Sequence, residues 1–166
     1  MTPLITGSSD AIELALETAA QNRIPNAQST EIAPNELNTF PDLERKYGDD
    51  ILRRSGPTAV YNCHGLAFAS RRTRIYDPSA VLQILHDDRY QGIAPQDVLP
   101  GDLIIYYDNS GDLEHSGIVV TPPSHSPLKV PKVYSKWGSY AEVIHFANRC
   151  PYDYSNVRYW RIQRDD

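Results

Sequence analysis

Cysteine is scarce in this chain. Its 166 residues include only two, Cys63 and Cys150. Two thiols make no disulfide framework, and both are read as free. The five histidines, His64, His86, His115, His125 and His145, show no HExxH or CxxC-type spacing, so no metal and no cofactor are expected. Basic excess is lacking too. The formal net charge is -5, whereas nucleic-acid binding usually needs a basic footprint. No apolar run is long enough to span a membrane. The stretch from Met1 to Gly7 has no basic region followed by a continuous apolar one, so no secretory signal is expected. Together these absences predict a soluble protein without a nucleic-acid partner. It would be cytoplasmic, or exported by a route that leaves no such signal.

What is present suits one domain, with 40% hydrophobic residues to build a core. Residues 1–40 divide into a helix over 8–21 and an irregular arm. The helix rests on Asp10 and Glu13 as a capping box, with Ile12, Leu14, Ala15 and Leu16 as its apolar positions. The arm over 22–40 is rich in Asn, Pro, Ser and Thr. Residues 41–166 form the main body. A short helix or two, broken near Gly48, precedes a helix over 63–71. Ser79 caps a further helix with Val81, Leu82, Ile84 and Leu85 on one face. After Pro100-Gly101 the pattern turns to strands: Leu103–Tyr107, His115–Val120, Val130–Trp137, Val143–Phe146 and Val157–Ile162. Helices followed by an antiparallel meander predict an α+β fold with a sheet of about five strands.

The chemistry concentrates at Cys63. It lies between a polar turn and the small apolar run Gly65-Leu66-Ala67-Phe68-Ala69, which places a thiol at a helix N-terminus. Backbone N–H groups and the helix dipole favour the thiolate there. Gly65 permits close backbone approach. Such a nucleophile needs a histidine brought in by the fold, and His115, leading the second strand, is the candidate base. A third polar group should orient the imidazole and fix its tautomer. Ser135, beside Lys136 and Trp137 on the next strand, is the first candidate. The bland alternatives are a buried structural cysteine at Cys63 and a loop-edge surface histidine at His115. Arg53, Arg54, Arg71, Arg72 and Arg74 gather near Cys63. They read as a solvated surface in preference to a basic rim that favours the thiolate.

Three segments resemble, in order, the motifs of the NlpC-type cysteine peptidases, papain-like amidases best known for cutting peptides of bacterial cell walls. Asn62-Cys63-His64-Gly65-Leu66 resembles their Asp-Cys-Ser-Gly-Phe/Leu motif. Leu99-Pro100-Gly101-Asp102-Leu103 resembles their Pro-Gly-Asp-Leu strand. His115-Ser116-Gly117-Ile118-Val119 resembles their His-Val-Gly-Ile-Tyr strand, whose histidine is the base. The resemblance spans roughly residues 45–140. It implies a papain-like fold, with Cys63 as nucleophile and His115 as base. The third catalytic residue by position is Ser135, with His145 the other candidate. An upstream tyrosine, Tyr47 or Tyr61, would help the oxyanion site. The chain departs from the family in having Asn62 where Asp is usual and His64 where Ser is usual. Asp102 is assigned to structure.

The expected function is a thiol hydrolase, a cysteine peptidase or amidase that cleaves an amide in a peptide or peptidoglycan stem through an acyl-enzyme. The alternatives are a toxin or effector that deamidates or transamidates a protein target on the same fold, and a non-catalytic binding module. The substrate-binding positions are Tyr61, Asn62, His64, Trp137 and His145. A helix-capping role for His64, and core roles for Trp137 and His145, stand as alternatives.

Overall fold

The run Leu103-Ile104-Ile105-Tyr106-Tyr107 reads as a strand with apolar neighbours on both sides, and the computed structural model, which describes residues 11–165, bears this out. Ile104 and Tyr106 belong to one core, with Val119, Val133, Trp137 and Val143. Ile105, between them, belongs to a second core with Ile75, Val81, Ile84 and Leu113. Alternation along one strand thus feeds both faces of the sheet.

That sheet has seven strands. They are β1 (Ile51–Arg53), β2 (Tyr90–Ile93), β3 (Leu103–Tyr107), β4 (Leu113–Thr121), β5 (Lys132–Lys136), β6 (Glu142–Phe146) and β7 (Val157–Ile162). Their order across the sheet is β1-β6-β5-β4-β3-β7-β2, and every pairing is antiparallel. The architecture is α+β, as expected, but the expectation of about five strands falls short. The two extra strands, β1 and β2, are edge strands of three and four residues, too short for a period-2 pattern to register.

The described residues form four α-helices: α1 (Pro34–Leu37), α2 (Phe40–Tyr47), α3 (Cys63–Phe68) and α4 (Pro78–Asp87). Among the described residues, no helix is long and apolar enough to cross a membrane. α4 is capped by Asp77, two residues before the expected Ser79. The Asp77 carboxylate accepts the Ser79 N–H at 2.9 Å, and Pro78 opens the helix. Its buried face is Ala80, Val81, Ile84 and Leu85, while Leu82 is exposed.

The expected helix over 8–21 is corrected. Asp10 of its capping box lies outside the described residues. From residue 11 the chain is extended and doubles back, with bridges Ile12–Gln28 and Glu17–Arg23. Asn26 ties the two limbs, accepting the Leu14 N–H at 3.0 Å and donating to the Leu14 carbonyl at 2.9 Å. Leu14, Leu16 and Thr18 turn inward between exposed Glu13, Ala15 and Glu17. That is a period of two, and pairing with residues 22–28 overrides a local helix preference.

α3 is held closer to its neighbours than any side chain would permit. A Cβ built on Gly65 would lie 1.8 Å from the Thr73 carbonyl oxygen and 3.0 Å from Tyr61 Cβ. Gly92, in contrast, has nothing within 4 Å of such a Cβ. Gly65→Ala is therefore expected to cost about 3 kcal/mol or to prevent folding, while Gly92→Ala changes stability little. Urea denaturation of the two variants checks this, and equal midpoints would contradict the close approach.

Candidate active site

The site is built from the turn that starts α3. Asn62 is the helix N-cap, and its Oδ1 accepts the Gly65 N–H at 2.9 Å. The same oxygen accepts the Ile75 N–H at 3.2 Å, and Nδ2 donates to the Ile75 carbonyl at 2.9 Å. The side chain thus acts as a short strand partner for Ile75. An aspartate could cap the helix but could not donate to that carbonyl, which explains the amide at this position. Asn62 is a buried clamp here, with both lone-pair positions of Oδ1 and one Nδ2 hydrogen committed to the backbone.

α3 packs against β4 and β5. Cys63 is 8% exposed, His64 5% and His115 0%. Two consecutive β4 residues meet the start of α3. His64 Nδ1 lies 2.8 Å from Ser116 Oγ, and His115 is the second imidazole that the Cys63 thiol feels. Burial pushes that thiol up. The charges of His64 and His115 outweigh burial and hold it well below the ordinary thiol value. Burial likewise lowers His64, but the Cys63 sulfur more than compensates, and the ring ends above its ordinary value. Neither nitrogen of His115 has a hydrogen-bond partner among the described residues. Its charge and a hydrogen-bonding approach of the ring to the sulfur both lower the thiol, although neither nitrogen makes a well-formed hydrogen bond.

Ser135 and His145 form a pair of their own. Ser135 Oγ lies 2.8 Å from His145 Nε2 and accepts the Trp137 Nε1–H at 3.2 Å. His145 Nδ1 donates to the Phe146 carbonyl at 2.8 Å. Nε2 is then the acceptor, and Ser135 gives its proton to it. Neither residue hydrogen-bonds to His115, so the expected third member of a triad is not made in this geometry. Burial brings His145 down to about 4, and the charge of His115 pushes the same way. His145 and Trp137 are core side chains at 2% and 3% exposure, not a cleft wall.

Tyr61 has a structural partner as well. Its hydroxyl donates to Glu142 Oε1 at 2.5 Å, and burial together with Glu142 pushes it up to about 12. Arg71 and Tyr134 bind the same carboxylate. Lys136 Nζ stands 5.0 Å from the centre of the Tyr61 ring and donates to the Thr58 carbonyl at 2.9 Å and the Gly138 carbonyl at 2.6 Å. Most of the arginines near Cys63 are likewise committed. Arg53 is held by Glu44 and Tyr140, and Arg74 by Glu36, Ser139 and Tyr76, so they form no free basic rim. Tyr47 packs edge-on against Trp137 at 5.4 Å. Asp102 accepts the Leu99 N–H and binds Arg161 through both oxygens. Cys150 donates weakly to the Ala147 carbonyl at 3.4 Å, and burial raises its thiol. Among the described residues, no group of three or more His, Cys, Asp or Glu could hold a metal ion.

Two contributors went unread in the sequence. Ser116 pins His64, but only its place in a His-Ser-Gly strand hinted at proximity. Tyr152 stacks on His115, with ring centroids 3.8 Å apart and planes 7° from parallel. The tyrosine-rich tail pointed only to general packing over the sheet.

His145 gives a pH prediction. Its folded value near 4 lies below the unfolded value near 6.5, so the unfolded chain binds this proton more readily. Its contribution to stability is complete above pH about 6.5 and is lost as pH falls towards about 4, on the order of 3 kcal/mol. Denaturant titrations across that window should show the loss, and His145→Gln, which keeps an acceptor for Ser135, should flatten it.

Compared with known proteins, the chain matches no family model, no curated protein and no solved structure.

Proposed function

We propose that this chain is a thiol amidase of papain-like construction, with Cys63 as nucleophile and His115 as base. The observation that carries the reading is a buried thiol at the start of α3 whose pKa is held low by two adjacent imidazoles. A structural cysteine buried among apolar groups has its pKa raised instead, as Cys150 does. The ordered resemblance to the NlpC-type peptidases supports the same roles.

In the proposed reaction His115 takes the Cys63 proton and the thiolate adds to the carbonyl carbon of an amide. The Gly65 N–H is occupied by Asn62, so the backbone N–H of Cys63 is the first donor to the oxyanion. Collapse breaks the C–N bond, and His115 returns the proton to the leaving amine. Water, deprotonated by His115, then attacks the thioester and releases the acid and the free thiol. The substrate class is a peptide or peptidoglycan stem. The same chemistry would serve a carboxamide of a protein target: ammonia then leaves in place of a peptide amine, and the thioester passes its acyl group to water in deamidation or to an amine in transamidation.

One observation favours a second reading, a binding module without turnover: among the described residues no group makes a well-formed hydrogen bond to His115, and the thiol is nearly covered. Two measurements separate the readings. Alkylation of Cys63, followed on its own peptide by mass spectrometry, should show a pH midpoint well below the unperturbed thiol value of about 8.5, and His115→Ala should raise that midpoint. Amine release from peptides and sacculi should drop by about 10³-fold or more in Cys63→Ala. A wild-type midpoint near the unperturbed value would sink the nucleophile assignment. A low midpoint without any turnover would favour the binding module.

A further inference from the structure

A general base works only if its ring is held in one orientation and its cationic form is stabilised when it takes the proton. His115 is wholly buried, and neither ring nitrogen has a hydrogen-bond partner among the described residues. The polar groups that could have served are engaged elsewhere, Ser135 with His145 and Trp137, and His145 with Phe146. The ring of His115 is instead fixed by aromatic contacts. One face lies against Tyr152, with centroids at 3.8 Å and planes at 7°. Tyr106 meets it in a tilted, edge-type contact at 5.4 Å and 60°.

The segment that carries Tyr152 is itself anchored. Tyr106 donates its hydroxyl proton to the Ala147 carbonyl at 2.8 Å, and Cys150 Sγ donates to the same carbonyl. Pro151 fixes the backbone immediately before Tyr152. The Tyr106 and Tyr152 rings are 6.1 Å apart. Tyr106 therefore holds both the imidazole and the support of the ring stacked on it. An electron-rich phenol face also attracts an imidazolium more than a neutral imidazole. The titratable groups facing this pair are Cys63 from α3, Tyr106 from β3 and His145 from β6, with Cys150 and Glu114 acting on Tyr152.

We propose that Tyr152 is the positioning residue of the His115 base, its stacked ring doing through its face what a polar third residue does through a hydrogen bond. The inference rests on the Cys63–His115 reading. It predicts that the face of the ring matters and the hydroxyl does not. Phenylalanine should serve at this position, and an aliphatic residue of similar bulk should not.

The test uses the pH profile of Cys63 alkylation in wild type, Tyr152→Phe, Tyr152→Leu and His115→Ala, with the His115 ring protons followed by NMR. Tyr152→Phe should keep the wild-type midpoint. Tyr152→Leu should move it towards that of His115→Ala, by about one unit, which lowers the thiolate fraction at the original midpoint several-fold. The wild-type His115 ring protons should be shifted upfield by the stacked ring, a shift kept in Tyr152→Phe. A wild-type midpoint in Tyr152→Leu, or equal impairment of the Phe and Leu variants, overturns the inference and leaves the site reading standing. Unshifted His115 ring protons in wild type overturn it without any variant that must fold. If His115→Ala itself leaves the midpoint unchanged, it is the Cys63–His115 reading that fails.

Discussion

The close approach of α3 to the Thr73–Ile75 segment is the constraint on which the site depends. A six-residue helix has too few hydrogen bonds to persist alone. It persists because Asn62 joins its cap to both backbone groups of Ile75 and because Gly65 leaves room for the Thr73 carbonyl. These contacts fix where the Cys63 side chain emerges. The thiol is therefore placed by tertiary contacts, and the helix dipole of so short an element adds little. Gly117 on β4 is also tight, though less so, since a Cβ there would lie 2.5 Å from Val133 Cγ1 on β5. Gly65 thus sets how closely α3 lies on Thr73, and Gly117 how closely the β5 side chains pack over β4.

Around this site, two imidazoles have opposite electrostatic settings. His64 touches the sulfur and is driven towards its cation despite burial. His145 is buried without an anionic partner and is driven towards neutrality. His115 acts on both neighbours, since its charge lowers the Cys63 thiol and lowers His145. Keeping His145 neutral spares His115 a second neighbouring charge when it accepts a proton. The hydrogen bonds of Ser135 and Phe146 to His145 lock that neutral tautomer. The pair contributes to the site by the charge it keeps away from His115.

The central strands were readable in sequence because burial on both faces leaves an unbroken apolar run, as in Leu103–Tyr107. The association of Cys63 with His115 was readable through short ordered motifs. Other features depend on register. Ser135 stands next to the base strand, as expected, but its hydroxyl meets His145 because β5 and β6 pair Val133 with His145, and nothing in the local sequence sets that alignment. Asn62 shows the same limit, since its partner Ile75 is reached only after the chain has turned back. The N-terminal segment misled for another reason. Ile12-Glu13-Leu14-Ala15-Leu16 satisfies a helical pattern and an alternating one at once, and only the returning limb with Asn26 decides between them.

The sheet ends in two very short edge strands, β1 with three residues and β2 with four. On β1, Arg53 is tied to Glu44 and Tyr140. An extended polypeptide arriving from solution would find almost no free ladder to extend. Recognition by strand addition, common among domains that grip peptides, has little to work with in this molecule, and its edges are equally poor templates for self-association. A polypeptide bound by this molecule would have to be held by side chains and loops.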